Sequence, residues 1–351
     1  MLESNCMRLT FRIAGVAALC SAAVLEGRAV EVPQSFPPAF ERYLAETVHL
    51  SPLERSTLIA GAPLTKLLDA DPNKEVAVFG AVWINAPTAR YLERLQDIEN
   101  FERGSAFRVT KRISSPPRLE DFDALALPDE DVADLRSCRI GDCELKLSAE
   151  AVEQMRRTID WSKPTARRDV ESLMRQLALD YVTRYLEGGN QALAVYRDGG
   201  RPTFVANEFR SMVEQMPRIS AFDPELRAYL LEFPAASLPA SQSFLYWQDA
   251  QFGLKPTIRI NHLVIHQDDD AIVVANKQLY ASHYFWTALE LRVLLTDHTR
   301  GRGFWFVTLS RSRSDGLSGF VGRVIRGRVR AEARKGIETA LVATRNVLEG
   351  R

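Results

Sequence analysis

The run "EVAVFGAVWI", Glu75 to Ile84, is rich in β-forming residues, and behind it Tyr91, Leu92, Leu95 and Ile98 recur at helical spacing within "NAPTARYLERLQDIENF". The pair predicts a strand followed by a helix. "SAFRVTKRI" (105–113) alternates as a strand, a Pro-rich and acidic connection follows, and "RIGDCELKLS" (139–148) reads as a further strand. Upstream, residues 30–74 read as a helical lead in which Ser51 is an N-cap, Pro52 the first helical residue and Glu54 the partner in a capping box.

From 149 to about 235 the apolar period changes to 3.6. Val170, Leu173, Met174, Leu177, Tyr181 and Leu186 form one stripe that stops at Gly188-Gly189, and "FDPELRAYLLEFP" starts at an Asp223-Pro224 cap. After the linker-like "PAASLPASQ", strand patterns return at 243–248, 256–267, 270–281, 284–297 and 303–311, with Asp268-Asp269-Asp270 as the turn between the second and third. Finally Leu317, Phe320, Val321, Val324, Ile325, Ile337, Leu341 and Leu348 share one face of a helix over 316–349. The antiparallel sheet is its expected partner, and Asp315 its expected cap. The class is α+β: residues 75–148 give the first part of a sheet, 149–235 a helical insertion, 240–315 the second part, and 316–351 the long C-terminal helix.

Composition narrows the setting. The 351 residues are 46% hydrophobic, enough for a sizeable core, and 45 basic residues balance 45 acidic ones, so no global field draws the chain to nucleic acid. The arginines are concentrated locally: Arg323, Arg326, Arg328, Arg330 and Arg334 are either a solvated face or a dock for an anionic membrane acting through charge alone. At the other end, Arg8 and Arg12 precede the apolar run Ile13 to Leu25 and the small residues around Ala29. That arrangement predicts a cleaved export signal over 1–29, with Met7 as an alternative start, and delivery to the periplasm. Export leaves Cys138 and Cys143 in "CRIGDC", where Gly141-Asp142 makes a turn. A disulfide across that turn is expected, two structural thiols being the alternative.

No metal or cofactor site is expected. His262 and His266 sit on a strand pattern, where a spacing of four puts them about 13 Å apart. The side chains suited to line a ligand site are Trp247, His262, Tyr280, His283, Trp286, Glu290, Arg292, Arg311 and Arg313. Each has a plain structural reading beside it. The histidines and aromatic residues can fill the core, Glu290 and Arg292 can be a solvated pair, and Arg311 and Arg313 can clamp the end of the last strand or contact an anionic headgroup.

The segment "VWINAPTARYLERLQDIENFE" (82–102) resembles the opening of SRPBCC (START-like, polyketide-cyclase-like) domains, through Ala86-Pro87, Leu92, Leu95, Asp97 and Phe101. The resemblance implies a helix-grip fold, with an apolar or amphipathic small molecule held between sheet and C-terminal helix. Some such domains add catalytic side chains, for which Glu290, His262 or His283 would serve here. The expectation is therefore an exported lipid-like binding protein. An enzyme on the same scaffold, or a module binding a protein partner through the helical insertion, are the alternatives.

Overall fold

The computed structural model describes residues 35–351 except 105, 217–221, 253–254 and 268–270. The export signal read over 1–29 and the Asp268-Asp269-Asp270 turn lie outside the described residues.

In chain order, the first half forms α1 (Pro38–Tyr43), α2 (Pro52–Ile59), β1 (Leu64–Leu67), β2 (Glu75–Ile84), α3 (Thr88–Gln96), α4 (Ile98–Phe101), β3 (Phe107–Arg112) and α5 (Asp129–Ser137). The insertion contributes α6 (Ala149–Thr158), α7 (Ala166–Gly188), the short hairpin β4 (Val195–Tyr196) and β5 (Thr203–Phe204), α8 (Val205–Glu214) and α9 (Pro224–Glu232). Then come β6 (Ser241–Phe252), β7 (Lys255–Gln267), β8 (Ala271–Ala281), β9 (Phe285–Thr296), β10 (Phe304–Ser314) and α10 (Gly319–Glu349). Ser51 makes the full capping box with Glu54, and Asp223 accepts from the Leu226 amide, so these two polar caps start their helices as their positions require.

One antiparallel sheet of eight strands runs in the order β1-β2-β10-β9-β8-β7-β6-β3. Its five late strands pair consecutively, while the chain's early strands β2 and β3 lie in the two flanks, beside β10 and β6. Both faces are covered over β2, which explains a run with so few polar positions. On one face Val82 and Ile84 pack with Phe304, Phe306, Tyr91 and Leu95, beneath α3, α4 and the later turns of α10. On the other, Phe79 and Trp305 pack with Phe36, which precedes α1, and with Phe40, Phe209 and Leu230 of α1, α8 and α9. Farther along that second face, Trp247 and Ile260 meet Val170, Val182 and Tyr185 of α7.

α10 rests directly on the sheet at Gly80. A Cβ there would stand 2.7 Å from Ile337 Cγ2, 2.9 Å from Thr308 Cγ2 and 3.0 Å from Leu341 Cδ1, so only glycine lets the helix touch this strand.

Several sequence expectations are corrected. Residues 30–74 hold β1 as well as helices, because Leu64–Leu67 completes the edge beside β2. Residues 139–148 do not form a strand. The Cys138–Cys143 disulfide and the positive φ of Gly141 curl the segment, and its amides go to neighbours instead: Gly141 to Arg197 O at 2.6 Å and Cys143 to Asp198 O at 3.0 Å. Asp315 does not cap α10. Its carboxylate pairs with buried Lys146, which also holds Asp198 at 2.8 Å, and Ser318 occupies the N-cap position without a side-chain bond. Leu186 of the α7 stripe is exposed at the helix end, where Tyr185 takes the buried position. Leu317, just before α10, and Leu341 and Leu348 on it are buried, but Phe320, Val324 and Ile325 are exposed rather than packed on the sheet. At 100° per residue Val324 and Ile325 point away from the face shared by Ile337, Leu341 and Leu348, Phe320 stands at its margin, and Arg326 and Arg330 replace them there.

Candidate functional site

An open cleft of about 410 Å³ lies between β3, β6 and β7 and the segment Ala124–Pro128, on the side of the sheet away from α10. Its floor is set by strand register. Val109, Asp249 and Ile258 are cross-strand neighbours in one row, with Trp247 and Pro256 adjoining. Ala124, Ala126, Leu127 and Pro128 form the opposite wall. A β-bulge between Phe107 and Val109 re-aims Arg108 so that its Nη2 donates to Asp249 Oδ2 at 2.7 Å. This ion pair is the charged feature of an otherwise apolar lining.

The wall is pinned from behind by α7. Arg167, Glu171 and Arg175 recur every four residues and so share one helix face. Arg167 Nη2 donates to Leu127 O at 2.7 Å, Arg175 Nε and Nη2 donate to Leu125 O at 3.1 and 3.0 Å, and Glu171 accepts from the Leu127 amide at 3.3 Å. Leu125 and Leu127 are buried, with Leu127 still touching the cleft, while the small side chains of Ala124 and Ala126 are exposed there. The floor is fixed by Trp247, whose Nε1 donates to Asp121 O at 2.9 Å and whose ring stacks on Phe122.

Such a cleft can enclose an apolar body and offer one charged pair to a polar end. The charged side chains in its lining are Arg108 and Asp249, which pair with each other. Among the described residues, no group of three or more His, Cys, Asp or Glu side chains could hold a metal.

Of the nine side chains singled out from sequence, Trp247 lines this cleft and the others lie elsewhere. His262 is a core residue: Tyr185 OH is 2.9 Å from its Nδ1, the Phe233 ring packs at 4.9 Å, and burial followed by nearby Lys277 takes its pKa down to about 3. His266 is held by Asp223 Oδ2 at 2.5 Å, so the two histidines serve different partners. His283 is buried with Asp131, whose two oxygens lie 3.1 Å from Nε2, while Nδ1 donates to Glu144 O at 3.2 Å. Tyr280 stands edge-on to Tyr181 and Tyr196, and burial raises its pKa. Trp286 packs on the cluster that holds Tyr181 and Ile258.

Glu290 and Arg292 form an ion pair turned into the molecule, on the sheet face that carries α10. Arg292 donates to Glu290 at 3.0 and 3.1 Å, to Glu102 at 2.9 Å and to Tyr91 OH at 3.3 Å. Burial opposes ionisation of Glu290, but Arg292 outweighs it and holds the carboxyl below its usual range. Arg311 and Arg313 are a structural clamp. Both donate to buried Glu75 at 2.7 Å, and Arg313 also reaches Glu208 at 2.9 Å and Gln215 at 2.9 Å.

The cleft residues that sequence reading passed over are Arg108, Val109, Asp249, Pro256, Ile258 and the Ala124–Pro128 wall. The signal available was "ALALP" itself, an apolar alternation inside a connection otherwise acidic and Pro-rich.

The chain matches no protein-family model and no curated protein sequence.

Proposed function

We propose that this chain is an exported, periplasmic protein of helix-grip type that binds an apolar or amphipathic small molecule, and that the ligand sits in the cleft between Trp247 and the Ala124–Pro128 wall. The cleft carries the reading: apolar walls fixed from both sides and one ion pair for a polar end. Direct contact of α10 with the sheet at Gly80 leaves no room for a ligand at that point, which favours the opposite face. The resemblance of residues 82–102 to SRPBCC domains supports the fold type, and the Cys138–Cys143 disulfide supports an oxidising compartment.

Organic extraction of the full chain recovered from its native compartment, followed by mass spectrometry, tests this. A stoichiometric lipid-like species is expected. Protein that is recovered empty, and that also fails to take up amphiphiles added afterwards, would overturn the reading.

A further inference from the structure

The early turns of α10 present an apolar ridge to solvent: Phe320 is 77% exposed and Val324 68%, and Ile325 and Val329 are exposed beside them. At 100° per residue the four spread over about half of the helix circumference, Phe320 and Val324 on one side of Arg328 and Ile325 and Val329 on the other, with Phe320 at the margin of the face that Ile337, Leu341 and Leu348 turn to the sheet. The inward face of these turns is instead closed by polar contacts, Arg326 donating to Leu317 O at 2.9 Å and to Asn73 Oδ1 at 3.0 Å. Nothing lies within 4 Å of where a Cβ would stand at Gly319, Gly327 or Gly336. The ridge therefore stays open along about 15 Å of helix.

Residues 319–335 carry six basic side chains against Glu332 alone; Arg326 and Arg330 are half-buried on the inward face, and Arg323, Arg328, Arg334 and Lys335 are exposed. We infer that this ridge docks the protein on an anionic lipid bilayer, with α10 lying in the interface plane, Phe320, Val324, Ile325 and Val329 entering the acyl boundary, and the flanking arginines at the headgroups. Exposed apolar side chains interleaved with cationic ones, whose long stems let the charges rise to the headgroups, fit that surface. A second copy of the chain would bring the same positive charge against itself, which argues against self-association through this ridge. No helix among the described residues is long and apolar enough to cross a membrane. The inference is independent of the cleft, which opens on the other side of the sheet.

Co-sedimentation of the full chain with phosphatidylcholine vesicles, with and without phosphatidylglycerol, tests it alongside two variants. Wild type should bind the anionic vesicles and largely ignore the neutral ones. Phe320→Ser/Val324→Ser should bind at least about tenfold more weakly with an unchanged melting temperature, because both side chains are already in solvent. Arg323→Gln/Arg328→Gln should lose the preference for anionic lipid. The inference is overturned if wild type ignores anionic vesicles, or if the Phe320/Val324 variant binds them as wild type does. It is equally overturned if wild type is a dimer that this variant dissociates.

Discussion

Lys277 donates to the Tyr185 hydroxyl at 3.3 Å, and that hydroxyl, 2.9 Å from His262 Nδ1, donates onward to the imidazole. The ammonium also donates to Asn190 Oδ1 and lies 4.3 Å from the Phe209 ring centroid, so its partners are all neutral. Burial accordingly brings Lys277 down to about 7.

Stability should follow the two depressed bases. An unfolded chain holds the lysine proton up to about pH 10 and the histidine proton up to about pH 6.5, while the folded chain has released both well below those values. Urea midpoints should therefore rise with pH from about 7 to 10 through Lys277, and fall as pH drops from about 6.5 toward 3 through His262. Lys277→Met should raise the midpoint at pH 6, with the gain shrinking toward pH 10. An equal gain at every pH would show that the amine is solvated.

Glu75 holds two buried guanidinium groups, so Glu75→Gln leaves Arg311 and Arg313 under-neutralised inside the protein. The expected loss is about 3 kcal/mol, read from urea unfolding. A loss below about 1 kcal/mol would mean that water reaches the cluster.

Thiol labelling of protein kept from reductants should leave Cys138 and Cys143 unmodified. Replacing both by serine should cost about 2 kcal/mol without abolishing folding, since the bond closes a short loop. Folding lost entirely would show that the curled segment, with Lys146 tied to Asp198 and Asp315, depends on the bridge more than loop entropy implies.

Where one periodicity dominated, the elements were legible: β2, α3, β6 to β10 and the extent of α10 follow from apolar spacing, and the polar caps Ser51 and Asp223 mark their helix starts. Tertiary competition hid the rest. Asp315 is a competent cap in sequence but meets Lys146 from a distant segment, and Phe320 and Val324 look like core because pattern alone does not say how far the sheet extends beneath a helix. The cleft was harder still. Its floor joins β3 to β6 and β7 across the whole insertion, and its wall is set by Arg167, Glu171 and Arg175 of α7, whose partners are backbone atoms. Of its lining, only the bulk of Trp247 stood out.

Titration with a fluorescent long-chain amphiphile below its micelle concentration, using wild type, Ala126→Trp and the Phe320→Ser/Val324→Ser variant, tests whether the cleft is the binding site. Ala126 is exposed on the cleft wall, so tryptophan there should fill the cleft without unfolding the chain. Saturable binding is expected of wild type and of the Phe320/Val324 variant, and at least about tenfold weaker binding of Ala126→Trp at an unchanged melting temperature. Equal affinity for wild type and Ala126→Trp, or no saturable binding by wild type, would contradict that assignment.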